Sequence, residues 1–245
     1  MSEPKLIVLD NAEALHVRAA EEIAHIAGEA ICTDGEFTFC LTGGNTPKPT
    51  YELLASRFDH SIDWSEVQFF WGDERCVPPD SEGSNFGMAH QALLSRLDLR
   101  PDQVHRIQGE APPEEAARSY EAELRRCFNL APEALPAFNL ILLGLGDNVH
   151  VASLFPHHPA LHIADRLVVA VEVEAPQPRR VSLTIPVINN AARVMFIVSG
   201  ENKAAAVKDA LRGPRDPDRF PAQLVAPAHG EVVWLLDRAA ARLLG

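Results

Sequence analysis

The chain has 245 residues, 47% of them hydrophobic and 23% charged, the balance of an ordinary globular protein rather than a disordered, collagen-like or coiled-coil one. Its 34 acidic and 22 basic residues give a formal net charge of −12, which argues against nucleic acid or an anionic membrane surface as partner. At first reading it also disfavours an anionic substrate, and no apolar run approaches the roughly 18–20 residues of a membrane span.

In the opening MSEPKLIVLDN, the apolar run Leu6–Leu9 is cut off by Asp10 before it can serve as a signal-peptide core. Leu15, Ala19, Ile23 and Ile26 then fall on one face of a helix. A second apolar run, Phe37–Leu41, enters LTGGNTPKPTY, Leu41 to Tyr51. Gly43 and Gly44 permit a tight turn and close approach of a ligand to the backbone. Thr46 fits an N-cap, and Pro47 fits the first position of a helix over Pro47–Arg57. Free N–H groups at such a helix start attract anions, although a plain strand-to-helix turn reads the same way.

The strand Val67–Trp71 runs into Gly72–Arg75 and a loop over Val77–Gly83. Asp73, Glu74 and Arg75 thus sit at the strand's carboxyl end. Arg75 suits a carboxylate, a phosphate or a developing oxyanion; an ion pair bracing the loop is the structural alternative. Helices are expected over Asn85–Leu97 and Pro113–Cys127, and the acid-rich Glu110–Glu123 reads as a solvated face. The most apolar strand, Leu140–Leu145, ends in Gly144, Gly146, Asp147, Asn148 and His150. Histidine is the side chain best suited to move protons near neutrality, and this position singles His150 out among ten histidines. Gly144-x-Gly146 lacks the third glycine of a dinucleotide fingerprint, since position 149 is Val.

His157, His158 and His162 cluster, but no ligand set completes a metal site. Leu167–Val171, Val194–Val198 and Val232–Leu236 read as strands. Glu201–Leu211 reads as a helix with Ala204, Val207 and Leu211 facing inward. PRRVSLTIP and IVSGENKAAAV carry Arg180 and Lys203. A lysine in the first turn of a helix opposes the macrodipole and calls for an anion nearby; a surface lysine is the simpler alternative. Ser153 lies in no G-x-S-x-G elbow, and no Walker loop or H-E-x-x-H is present. Cys32, Cys40, Cys76 and Cys127 form no C-x-x-C pair and read as reduced thiols of a cytoplasmic protein.

Strands alternating with helices give the fold class. We expect one α/β domain over residues 1–245, with a Rossmann-like, mostly parallel sheet and helices on both faces. Ligands of such sheets bind beyond the carboxyl ends of the strands.

TGGNTP, WGDER with the downstream Ser84-Asn85, HVASLFP and the closing VVWLLDRAAARLL together resemble the 6-phosphogluconolactonases over nearly the whole chain. That family is grouped with the glucosamine-6-phosphate deaminases, which are similar at GG-x-TP and at the G-x-G strand end but differ at WGDER and ASLFP. The resemblance implies hydrolysis of 6-phospho-D-glucono-1,5-lactone to 6-phosphogluconate in the oxidative pentose phosphate pathway, with no cofactor and no metal. It implies His150 as general base with Asn148 beside it, and Arg75 near the lactone as oxyanion stabiliser. Gly43, Gly44, Asn45, Thr46, Arg180 and Lys203 would hold the phosphate. The expected partner is a small phosphorylated sugar lactone, and the expected state is a monomer or small homo-oligomer.

One departure stands out. Where the family pattern reads Asp-Gly-His, this chain reads Asn148-Val149-His150. Asn accepts a hydrogen bond but carries no charge. A β-branched residue fits a positive-φ turn badly. Either the local backbone differs, then, or His150 is displaced. Two alternatives follow: a sugar-phosphate binder with weak or lost catalysis, or a deaminase-like isomerase. All three readings require a positive cleft on a negative protein.

Overall fold

The computed structural model describes residues 4–245; Met1–Glu3 of the opening segment lie outside the described residues. In chain order the elements are β1 (Lys5–Leu9), α1 (Ala12–Asp34), β2 (Phe37–Leu41), α2 (Lys48–Ser56), β3 (Val67–Trp71), β4 (Asp73–Arg75), α3 (Asn85–Ala92) and α4 (Pro113–Cys127). They continue with β5 (Leu140–Leu143), β6 (Val168–Glu172), β7 (Arg179–Leu183), α5 (Ile185–Ile188), β8 (Arg193–Val198), α6 (Ala204–Arg212), β9 (Glu231–Asp237) and α7 (Arg238–Ala241).

The local chemistry explains these boundaries. Asn11 caps α1 by accepting from the Ala14 N–H, and Gly35 ends it at φ 84°. Leu15, Ala19 and Ile23 are fully buried, as their spacing predicts. Each large apolar side chain buried in this way contributes roughly 1.5–3 kcal/mol. All five residues of β2 are buried, the pattern of a strand covered on both faces. At the sheet edge β1 leaves Leu6 and Val8 partly exposed, so cover on both faces does not extend to it.

Six parallel strands form the main sheet in the order β1-β9-β8-β5-β2-β3. From β2 the chain steps outward to β3. From β5 it steps the other way, to β8 and β9. The order therefore reverses between the neighbours β2 and β5, and an open α/β sheet opens a crevice at that point. A second, antiparallel sheet runs β4-β7-β6. The expected strand Leu167–Val171 belongs to this small sheet, and β4 and β7 are strands that the hydrophobic pattern does not announce.

Two buried tyrosines pin the ends of the strands that lead into the crevice. Tyr51 Oη accepts from Thr42 N at 3.0 Å and donates to Thr42 O at 2.9 Å. Tyr120 Oη makes the same pair of bonds to Trp71, at 2.9 and 3.0 Å. Burial pushes both phenols up, so both remain neutral donors. Among the described residues, no helix is long and apolar enough to cross a membrane.

Candidate active site at the strand-order reversal

The crevice is a cleft of about 420 Å³. Thr42–Pro47 enter it from the end of β2, Asp73 and Arg75 from β4, and Gly144–Asp147 with His150 from the end of β5. Arg180 of β7 and Lys203, just before α6, complete the wall. Asn148 lies behind His150, its Oδ1 2.6 Å from His150 Nδ1. The fold therefore brings together every residue singled out as a site candidate. A larger groove of about 920 Å³ runs along α1 at the amino ends of the strands, and none of these candidates lines it.

Gly44 takes φ 91°, which the turn after β2 requires. Thr46 does not cap the helix. Pro47 stands at the N-cap with no side-chain cap bond, and α2 starts at Lys48. Prolines at 47 and 49 suit a first turn in which donors have no helical partner. The backbone N–H groups of Gly44, Asn45 and Thr46 make no hydrogen bond within the described residues. All three residues line the cleft, which leaves these N–H groups free to donate to an anion there.

Arg75 and Arg180 sit opposite each other in the β4–β7 ladder. Like charges in that position repel, and an anion between them relieves the repulsion. Arg75 Nη1 donates to Gly83 O at 2.9 Å, while its buried Nε has no partner among the described residues. Arg180 Nε donates to Gln177 O at 3.0 Å, and its guanidinium lies 5.3 Å from the centre of the Phe155 ring. Burial, then the charge of Arg75, lowers the pKa of Arg180.

Among the described residues neither Asp73 nor Glu74 makes an ion pair with the Arg75 guanidinium, although Glu74 Oε1 accepts from the Arg75 backbone N–H at 2.8 Å. The Glu74 carboxylate accepts from the N–H groups of Asn85 and Phe86 at 2.7 and 2.8 Å and from Ser84 Oγ at 3.0 Å, closing the start of α3. Burial raises its pKa against these hydrogen bonds. Asp73 Oδ2 accepts from the fully buried Ser153 Oγ at 2.6 Å, and Asp73 Oδ1 accepts from Asn85 Nδ2 at 3.2 Å. Ser153 thus anchors an acid and is no nucleophile.

His150 stacks on Phe155 at 4.1 Å between centroids and 16° between planes. A Cβ on Gly146 would fall 2.0 Å from His150 Nδ1, so only glycine leaves room for the ring. The Asn148 oxygen fixes the tautomer by accepting from Nδ1, which leaves a lone pair on Nε2. Burial, helped by Arg180, Lys203 and Arg75 and opposed by Asp73, lowers the pKa of His150 to about 4. The imidazole is neutral at pH 7. Val149 does adopt the disfavoured backbone, at φ 67°, with its side chain buried. His150 lines the cleft, so of the two outcomes expected from Asn148-Val149 its displacement does not occur.

Lys203 Nζ lies 2.6 Å from Asp147 Oδ1. That pair supplies the anion its place before α6 calls for, and it turns Asp147 away from the role of partner to His150. Three cations and two carboxylates line the cleft, a local excess of positive charge on a chain of net charge −12. Asp73, Asn85, Ser153 and Phe155 complete a site whose proposed members the sequence named without them. Their signal was present in WGDER, Ser84-Asn85 and ASLFP, as residues matching a pattern without an assigned task.

Residues 10–234 match the family described as glucosamine-6-phosphate isomerases/6-phosphogluconolactonase. The chain is 42% identical over 238 residues to the 6-phosphogluconolactonase of Synechocystis sp., covering 97% of both chains. It is 40% identical to that of Nostoc sp., covering 95% of both. Among solved structures it is similar to the 6-phosphogluconolactonase from Trypanosoma cruzi, with a TM-score of 0.88 and 28% identity over 100% of this chain and 98% of that one.

Proposed function

The chain belongs to the glucosamine-6-phosphate isomerase/6-phosphogluconolactonase family, and from that premise we propose that it hydrolyses 6-phospho-D-glucono-1,5-lactone to 6-phosphogluconate, the hydrolytic step of the oxidative pentose phosphate pathway. The observation that carries this reading is the neutral His150, its Nδ1 engaged by Asn148 and its Nε2 available within a cation-lined cleft.

The N–H groups of Gly44, Asn45 and Thr46, with Lys203 and Arg180, hold the phosphate; Gly43 lets the chain reach it. His150 Nε2 takes a proton from water as the water oxygen bonds to the lactone carbonyl carbon. The carbonyl oxygen becomes an oxyanion, which Arg75 stabilises. The imidazolium is steadied by Asn148 and by the charge of Asp73. Collapse breaks the bond to the ring oxygen, which takes the proton back from Nε2. The new carboxylic acid then loses its own proton to solvent. Binding at the remote phosphate orients the carbonyl against the base.

Asn148 supports catalysis rather than its loss, because it retains the hydrogen bond an aspartate would make. We also propose that residues 1–245 act as one domain, supported by a common hydrophobic core beneath both sheets. A reducing, cytoplasmic compartment is supported by four unpaired cysteines. The test is the purified protein's rate on the phosphorylated lactone, on unphosphorylated gluconolactone and on glucosamine 6-phosphate. Hydrolysis of the first far above its spontaneous rate, with no ammonia from the third, is expected. A rate equal to background, or ammonia release, would overturn the proposal.

A further inference from the structure

Away from the cleft, His105, Glu123 and Cys127 bring a nitrogen, a carboxylate oxygen and a sulfur together beside β3. His105 Nδ1 lies 2.7 Å from Glu123 Oε1 and 3.4 Å from Cys127 Sγ, and that sulfur lies 3.5 Å from the same oxygen. Tetrahedral zinc with one ligand of each kind sets these edges at about 3.3 Å for N–O and about 3.5 Å for either edge to sulfur. The triangle already has nearly that size. Its N–O edge is the short one, where a proton is shared.

The fold holds each donor in place. Glu123 and Cys127 are four residues apart on the last turns of α4, hence on one face. The N–H of His105 donates to Phe69 O at 2.9 Å, fixing its segment along β3. Phe70 stacks on the His105 ring at 4.5 Å. Gln68 Oε1 lies 2.9 Å from His105 Nε2. When a cation displaces the proton between Nδ1 and Glu123, a ring that keeps its proton on Nε2, donated to Gln68, turns the Nδ1 lone pair toward the acid and the thiol. This is the arrangement by which an outer amide orients a metal-ligating imidazole.

We propose that His105 Nδ1, Glu123 Oε1 and Cys127 Sγ form a binding site for a borderline-soft divalent cation of zinc's class, with water completing the tetrahedron. Nitrogen, oxygen and sulfur donors in one set disfavour magnesium and calcium. Arg126 opposes binding: Nη2 lies 2.6 Å from Glu123 Oε1 and 3.5 Å from the sulfur, and Nε lies 3.0 Å from Glu123 Oε2. It is an exposed side chain, free to swing away. Arg126 also holds Glu123 ionised, with a pKa of about 2. Burial, then Glu123, pushes the Cys127 thiol up to about 12, against Arg126 and with a smaller contribution from Glu36. Ligation needs the thiolate and the Nδ1 lone pair, so binding displaces both the thiol proton and the proton between Nδ1 and Glu123.

The experiment is titration of chelator-treated full-length protein with Co²⁺ as a spectroscopic probe, followed by Zn²⁺. A near-ultraviolet thiolate-to-cobalt band saturating at one equivalent, bleached by Zn²⁺, is expected, together with a rise in Tm. C127S should abolish the band and E123Q should weaken binding at least tenfold. R126Q should tighten it, and C32S, at an exposed thiol elsewhere, should leave it unchanged. E123Q, at a half-exposed position, decides the matter if C127S does not fold. Absence of the band at millimolar Co²⁺, its persistence in C127S, or unchanged affinity in E123Q would overturn the proposal. The readout does not depend on lactone hydrolysis, so failure here is distinct from failure of the functional reading.

Discussion

His150 Nδ1 lies 2.6 Å from Asn148 Oδ1, and this amide also accepts from the His150 backbone N–H at 3.3 Å. An uncharged side chain thus sets the tautomer of the proposed base and braces the turn that carries it. An aspartate would keep the geometry and add charge beside the ring. For N148D we predict an upward shift of the His150 pKa from about 4 by about one unit or more, with a faster rate. NMR titration of the ring and kcat together check this.

The electrostatics of the cleft make the basicity of His150 depend on what is bound. Arg180, Lys203 and Arg75 all lower its pKa, after burial. A phosphate dianion among those cations offsets them. The pKa of about 4 in the free protein should therefore rise on adding inorganic phosphate or 6-phosphogluconate. In the free protein the ring is neutral above that value and charged below it, so activity that needs the neutral ring is lost as pH falls through it. NMR titration with and without phosphate measures the difference; equal values would contradict the coupling.

Val149 sets backbone strain against burial. A non-glycine residue at φ 67° costs roughly 1–2 kcal/mol. Removing its buried side chain loses roughly 1.5–3 kcal/mol, and glycine adds about 0.4–1 kcal/mol of unfolded-state entropy. Burial wins. V149G should lower stability by about 1 kcal/mol, read from urea unfolding, and should not restore any missing activity.

If Lys203 holds the phosphate as proposed, its pair with Asp147 competes with the phosphate for the same ammonium. D147N should lower KM for the phosphorylated lactone several-fold, and K203A should raise it tenfold or more, while kcat changes less than KM in both. Steady-state kinetics at two salt concentrations separate the two effects, since added salt screens this exposed pair.

Arg75 is proposed to meet the oxyanion, a charge that exists fully only in the transition state. R75K keeps a cation but loses the planar fork. It should cost about 10²-fold or more in kcat with a smaller change in KM, as measured on the phosphorylated lactone.

Much of this architecture was legible because it is apolar and periodic. The main-sheet strands are short hydrophobic runs, and α4 spans Pro113–Cys127 as its pattern predicts. The small sheet was hidden. Asp73–Arg75 and Arg179–Leu183 carry polar and cationic residues, and their pairing joins segments about a hundred positions apart. Other expected helices split or shifted at their ends. Asn85–Leu97 becomes α3 followed by a separate 3₁₀ turn at Leu94–Arg96, and Glu201–Lys203 forms a 3₁₀ turn before α6. His150 and Arg75 were visible because each follows an apolar strand, β5 and β3, at its carboxyl end, and Lys203 because it stands just before α6; Arg180 stood out only as a cation in PRRVSLTIP. What Ser153 and Phe155 do in the site was not visible, since a buried serine and an aromatic give no pattern of their own until Asp73 and the imidazole are placed against them.

The proposed mechanism depends on His150 as the base. The most direct measurement is steady-state hydrolysis of 6-phospho-D-glucono-1,5-lactone by H150N beside the unaltered protein, corrected for the spontaneous rate. A loss of about 10²–10⁴-fold in kcat, with KM nearly unchanged and Tm preserved, is the predicted result. An H150N protein that retains the full kcat would contradict it.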